Sequence, residues 1–329
     1  MQSDVTTADC GPGLPPELTG DSPVVRHAID LVRSVAQGDA PVLIVSEPGL
    51  DARRVACAIH SAGPRAGTPL VCVDCADPPA IVLERLFGNN GQRRDDSTVD
   101  AGSALARAGS GALFLAGVGE MPAAAQVRLS RVLRDGEMRV GARKVPVLFR
   151  LMASSHPGLE TDVRERRFRP ELYRRLQRNR VDVPPLRDRP GDLPGIIETV
   201  LADVCRDAAP CELAPAAMTA LAALQWPGNL DELRSALSRL VQRTADGVIR
   251  QEDVLADLQH APGRARPAVA IASLREARLS FERDYISRVL EDQGWRMADA
   301  ARVLGIERAN LYRKTRQLGI VRPRSPRQS

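Results

Sequence analysis

The sequence predicts a parallel α/β core with a helical lid, followed by a small all-α helix-turn-helix unit. Three observations predict it. Four short apolar runs, PVLIVSEPG (41–49), PLVCVDCA (69–76), GALFLAGVG (111–119) and VLFRLMASS (147–155), are separated by helical patterns. Strands that read as near-continuous apolar runs between helices belong to a parallel sheet covered on both faces. Residues 190–257 read as helices. Ala301, Gly305 and Leu311 fall at offsets of four and then six, which suits two helices meeting through a tight turn.

Each element has its local reason. PVVRHAIDLVRSVA, within 22–36, repeats its apolar residues at helical spacing. PVLIVSEPG stops at a turn and leads into the helix DARRVACAIHSAG, the opening of a parallel α/β unit. AAAQVRLSRVLRDG is the helix after the third strand. In the lid, GDLPGIIETVLADVCRDA, AAMTALAALQW and LDELRSALSRLVQRT are helices, the last two broken by Pro227-Gly228. HAPGRARPAVA (260–270) reads as a linker. SLREARLSFERDYISRVLED (273–292) is an amphipathic helix ahead of the turn. The boundaries are a disordered 1–16, core 17–188, lid 189–258, linker 259–272 and helix-turn-helix 273–329.

Composition excludes several functions. The 329 residues are 43% hydrophobic, enough for about two domains at roughly 150 residues each. Aromatics are 3%, too few for base-stacking platforms. Only Lys144 and Lys314 are lysines, so a site that needs lysine has two candidates. No apolar stretch reaches the roughly 18 residues of a membrane span, and MQSDVTTADCGPG is no secretory signal. The six cysteines are too scattered for a disulfide scaffold. The reading is a cytoplasmic protein with reduced thiols and no metal site. Cys72 and Cys75 have the spacing of half a zinc site or of a redox pair, but they lie in a strand pattern, which favours buried structural cysteines.

The C-terminal unit carries the strongest functional signal. From Trp295 to Ser329 nine basic residues face two acidic ones, net +7, so the other 294 residues sum to −2 of the chain's +5. Positive charge concentrated on a helix-turn-helix is the footprint of phosphate binding.

AARVLGIERANLYRKTRQLGI resembles the Fis-type helix-turn-helix through the turn and the second helix. The resemblance implies double-stranded DNA as partner, dimerisation through the first helices, and a reading face of Arg308, Asn310, Arg313 and Lys314. Arg308 and Asn310 suit guanine and adenine edges. Arg302, Arg316 and the RPRSPR tail suit phosphates.

About residues 17–257 resemble the bacterial enhancer-binding proteins, AAA+ activators of sigma-54 RNA polymerase. LTGDSPVVRHAIDLVRSVA, LFGNN, QVRLSRVLRDGEMRVG, RRFRPELYRRL, PPLRDRPGDLP and WPGNLDEL fall in the family's order. The implied fold is an AAA+ parallel-sheet, P-loop-like core with a helical lid. The family's functional positions are mostly replaced. Its phosphate-binding loop, G-x-x-x-x-G-K, reads here with Ser46 for the first glycine, Asp51 for the second and Ala52 for the lysine. Glycines let backbone amides close on phosphate and the lysine neutralises it. Adjacent Arg53 does not reproduce that point charge. The metal-holding Asp-Glu after the third strand is Ala116-Gly117. The polar sensor is His156, and the lid arginine is Asp231. Arg169 and Arg175 match arginines that reach a neighbouring subunit, and serve there or in packing. The sigma-contact hexamer becomes Gln92-Arg93-Arg94-Asp95-Asp96-Ser97, a solvated turn or a new partner contact.

The expectation is a non-enzymatic, cofactor-free DNA-binding regulator, at least a dimer, meeting RNA polymerase at ordinary-sigma promoters. A non-catalytic partner or antagonist of an active sigma-54-dependent activator is the other reading. A live ATPase would need the missing lysine and Asp-Glu. With the core starting near Leu18, no preceding sensory domain is expected.

Overall fold

The computed structural model describes residues 6–8, 10, 13–88, 98–207, 211–244, 246–260, 286, 289–290, 293, 295–304 and 308–317. They divide into two compact units, Met1–Gln259 and His260–Ser329.

The first unit is built on a six-stranded sheet. Its strands are β1 (Thr6–Thr7), β2 (Val42–Val45), β3 (Leu70–Asp74), β5 (Ala112–Ala116), β8 (Arg150–Ser155) and β9 (Asn179–Asp182), in the order β1-β3-β5-β8-β2-β9. All neighbours are parallel except β1 on β3. Strands β4 (Thr98–Val99), β6 (Glu137–Val140) and β7 (Arg143–Pro146) make a separate small sheet.

The four strands expected from the apolar runs are β2, β3, β5 and β8. Their side chains alternate between two cores, as the period of two demands. Val42, Ile44, Ala112 and Phe114 enter one core. Leu43, Val45, Leu113 and Leu115 enter the other. The first core is closed by α1 (Pro23–Ala36) and α2 (Ala52–Ser61) together with the lid. The second is closed by α3 (Pro79–Phe87), α4 (Ala104–Ala108), α5 (Ala123–Asp135) and α7 (Pro170–Leu176). Helix α6 (Leu159–Arg164) precedes α7.

Helix α1 buries Val25, Ala28, Val32 and Ala36 on one stripe. Its first turn is tied to the lid, because Asp192 Oδ1 accepts from the amides of Asp21 and Ser22 at 2.8 and 2.9 Å. A carboxylate at a helix N-terminus meets the unpaired amides and the positive end of the dipole.

The lid comprises α8 (Leu193–Val204), α9 (Pro215–Ala222), α10 (Asn229–Arg243) and α11 (Gln251–His260). It also holds a two-stranded parallel pair, β10 (Glu212–Leu213) and β11 (Val248–Ile249), so it is not helical alone.

Two further expectations are corrected, and one strand went unread. Strand β1 and Cys10 are placed within the stretch read as disordered, because an antiparallel edge pairing and a covalent bond hold them. That bond joins Cys10 to Cys57, where reduced thiols were expected. Strand β9, flanking β2, was missed because RNRVD carries a single apolar residue. Cys72 and Cys75 are buried in and beside β3, as the strand pattern implied.

In the second unit, α12 (Met297–Val303) and α13 (Arg308–Gln317) pack on Ile286, Val289 and Leu290. Most of 273–292 lies outside the described residues, as do the linker and the basic tail beyond 317.

Candidate functional site

The loop from Ser46 to Arg53 joins β2 to α2 at the carboxyl end of the sheet, the usual ligand side of an open α/β sheet. A phosphate loop binds its ligand with free backbone amides. Here six amides from Ser46 to Arg54 are used inside the chain. Ser46 donates to the Ser155 carbonyl, Leu50 to Glu47, Ala52 to Leu50 and Arg54 to Asp51. Arg53 donates to the Asp51 carboxylate at 2.9 Å and Asp51 to Glu17 Oε1 at 3.3 Å. Asp51 thereby caps α2 with its own side chain.

The lid closes on the same loop. Asn229 is fully buried, with a left-handed backbone at φ 49°. Its amide donates to the Pro48 carbonyl at 3.0 Å, and its oxygen accepts from Leu186 at 3.0 Å. Asp231 donates its amide to the Gly49 carbonyl at 3.2 Å, while its side chain is exposed. Gly49 has φ 83°, and a Cβ there would overlap the Gly228 carbonyl, so only glycine fits. Arg187 grips Glu47 with two bonds of 2.6 Å. This fork pulls the Glu47 carboxyl below its ordinary range.

Glu17, which accepts from the Asp51 amide, is 2% exposed, with its second oxygen unpartnered. Burial raises its pKa above the ordinary 4.5. At the ends of β5 and β8, Ala116 and Gly117 bring no carboxylate, and the Gly117 amide donates to Ser154 Oγ. Among the described residues no three His, Cys, Asp or Glu side chains gather as a metal site. His156 uses both ring nitrogens, accepting from the Gly158 amide at Nδ1 and meeting Asp162 at 3.0 Å through Nε2.

The structure brings Ser46, Asp51, Ala52 and Asp231 together around one loop. Arg169 and Arg175 stand on a different element, at the start and the end of α7. Arg169 pairs with Glu171 at 3.6 Å, and Arg175 is exposed. Sequence reasoning missed Glu17, Glu47, Arg187 and Asn229. Of these only Asn229 carried a signal, since Pro-Gly-Asn before an apolar helix marks a sharp entry. Segment 92–97 lies outside the described residues.

The second unit presents the other candidate face. Ala301 and Leu311 are buried between the helices, which fixes the angle of α13. Gly305, in the turn, lies outside the described residues. Arg308 is exposed, and Asn310 and Lys314 are half-buried. Arg302 projects from α12, 3.7 Å from Asp299. Arg313 and Arg316 are on α13, and their side chains lie outside the described residues.

Residues 18–182 match the sigma-54 interaction domain, 187–270 the AAA+ ATPase lid domain, and 279–318 the Fis family of bacterial regulatory proteins. The chain belongs to the bacterial enhancer-binding protein family. Its similarity to other members runs through the core, lid and helix-turn-helix. It is 33% identical to the Nif-specific regulatory protein of Azotobacter vinelandii, over 92% of this chain and 59% of that protein. It is 36% identical to the anaerobic nitric oxide reductase transcription regulator NorR of Klebsiella pneumoniae, over 90% and 60%. The chain thus spans about three fifths of these relatives. The crystal structure of NtrX from Brucella abortus in complex with ADP superposes with a TM-score of 0.64 at 30% identity, covering 93% of this chain and 70% of NtrX. No helix among the described residues of this family member is long and apolar enough to cross a membrane.

Proposed function

We propose that the chain is a sequence-specific DNA-binding transcriptional regulator whose AAA+ core is a scaffold without ATP hydrolysis. It acts without sigma-54, at promoters of the ordinary sigma factor, through contact with RNA polymerase and as at least a dimer. The observation that carries the reading is the loop 46–54. Six of its amides donate within the chain, and neither a lysine nor a metal carboxylate stands beside it. A phosphate would have to displace Asp51 from its own helix, and no nearby lysine compensates. On the DNA side, the Fis-family match and the +7 charge of 295–329 support binding.

The test is chromosome-wide mapping of bound sites with transcript comparison on deletion. Sites beside ordinary-sigma promoters, with altered transcripts, are expected. Sites confined to sigma-54 promoters would favour a second reading, a partner or antagonist that co-assembles with an active homologue through Arg169 and Arg175. The scaffold reading has its own test in Ala52→Lys. This variant is expected to show no ATP turnover above background, because Ala116 and Gly117 still offer no metal ligand. Measured turnover would overturn it.

A further inference from the structure

Cys10 and Cys57 are 47 residues apart in sequence and joined by a disulfide. Cys57 sits midway along α2, the helix that begins at the closed loop. Cys10 belongs to an N-terminal strap whose described residues are 6–8, 10 and 13–18, with Thr6 and Thr7 paired to β3 and Glu17 and Leu18 buried. The strap is lightly fastened at its start. Strand β1 has two paired residues, and Ala8 donates one bond to Leu70. Among the described residues from Cys10 to Leu14 no hydrogen bond reaches the core, so the disulfide is the fastening there. Both cysteines are partly exposed, so a small reagent can reach the bond.

We infer that Cys10 and Cys57 are a redox-active pair whose reversible disulfide fastens and releases the N-terminal strap. The inference rests in part on the proposed function. A regulator that works on chromosomal DNA works where thiol pools are reducing, and a disulfide formed there is transient or sensing rather than a permanent staple.

The other cysteines do not compete for the partner. Cys72 and Cys75 are buried, and burial pushes the Cys75 thiol up to about 12, which suppresses the nucleophilic thiolate. Cys205 and Cys211 interact with each other in the lid.

The oxidant class is a small-molecule disulfide. One protein thiolate attacks it and expels a thiolate, giving a mixed disulfide. The second protein thiolate attacks the protein sulfur of that bond and expels the other thiolate. Two protein thiols and one small disulfide become one protein disulfide and two small thiols. A dithiol reverses the sequence. Release leaves β1 held on the outer edge of β3 by its two-residue pairing and the Ala8 bond alone, and an edge that β1 leaves can accept another strand.

The test uses the full chain in glutathione disulfide or in dithiothreitol, with differential alkylation, peptide mass mapping and amide exchange. In glutathione disulfide, Cys10 and Cys57 are expected as one cross-linked peptide. In dithiothreitol both should alkylate without unfolding, and exchange at the Ala8 amide should accelerate about tenfold or more while Leu113–Leu115 stay unchanged. C10S and C57S should each exchange like the reduced chain in either reagent. C10S, at a partly exposed position outside the helices and the sheet, carries the test if C57S fails to fold, and its Cys57 should be recovered bearing one glutathione. Absence of the cross-link, a bond that persists in dithiothreitol in the folded chain, or equal Ala8 exchange in both reagents would overturn the inference. DNA binding measured on the same samples separates the two readings. Its loss in both reagents would sink the regulator, and the thiol map stands or falls by itself.

Discussion

The loop at 46–54 turns polar groups inward, whereas the helix pair, 297–304 and 308–317, carries arginines on its surface. In the loop, backbone amides are spent on Glu17, Asp51 and neighbouring carbonyls. The lid adds Asn229 and Asp231 from above. In the helix pair, Ala301 and Leu311 turn inward, and Arg302 and Arg308 are left on the surface. The difference teaches that a family fold is kept by its packing, whereas its chemistry sits on a few side chains that can change without moving the backbone. Gly49 and Asn229 stand where the left-handed backbone and the close approach of the lid require them. Asp51 and Ala52 stand where nothing in the packing asks for glycine or lysine.

The largest expected effect is on the helix pair. Arg308→Ala combined with Arg313→Ala should abolish specific DNA binding while the circular dichroism spectrum stays unchanged. The loss of two DNA contacts at about 1–3 kcal/mol each weakens binding roughly 30-fold to 20,000-fold. Footprinting and fluorescence anisotropy on a mapped site would measure it. A retained footprint would break the comparison, because α13 would then not be the reading helix.

The next effect is on the loop side. Asn229→Ala removes two buried hydrogen bonds, strands the Leu186 amide and the Pro48 carbonyl, and forces alanine into a left-handed backbone. The cost should be about 2–4 kcal/mol, and the melting temperature should fall by roughly 5–15 °C. Asn229→Gly keeps the backbone freedom and loses only the bonds, so it should fall less. Equal losses would mean the side-chain bonds to Pro48 and Leu186 contribute all of the effect.

The contrast also explains what was legible in the sequence. Strands β2, β3, β5 and β8 were readable because burial on both faces writes an unbroken apolar run. The helix pair was readable because Ala301, Gly305 and Leu311 stand at the offsets expected of two helices joined by a tight turn, and Ala301 and Leu311 are buried together. Strand β9 was not, since a strand beside β2 with arginine and aspartate on its exposed positions loses that run. The replacements at 46, 51 and 52 were visible residue by residue. Their geometry was not, since Asp51 capping its own helix depends on side-chain direction, and Asn229 meets Pro48 across 181 residues. The Cys10–Cys57 bond had no sequence signal, because nothing in the spacing of six scattered cysteines selects one pair.

A smaller effect sharpens the loop further. Asp51→Ala should cost about 0.5–2 kcal/mol by uncapping α2. Chemical denaturation would show a lower midpoint at unchanged slope. If stability instead holds, the Arg53 amide has another partner, and the loop is less closed than its hydrogen bonds indicate.

The last effect is a drift with pH, and it isolates Glu17. Burial raises the Glu17 pKa above 4.5 in the folded chain, so over the window above pH 4.5 the folded state holds a proton that the unfolded state has lost. Stability contributed by Glu17 is therefore full below that window and is lost as pH rises through the folded value. Glu47 runs the other way. Its folded pKa is lowered by Arg187, so its contribution is present above the ordinary value and lost as pH falls through the folded one. The two windows lie on opposite sides of 4.5 and do not cancel. Glu17→Gln keeps an acceptor for the Asp51 amide and does not titrate. Its melting temperature relative to the parent chain should rise as pH is raised from 4.5 towards neutrality, then level off. A flat difference across that range would mean that the Glu17 carboxyl is not desolvated in the folded chain, and that the closure of the loop rests on Asn229 and Arg187 without it.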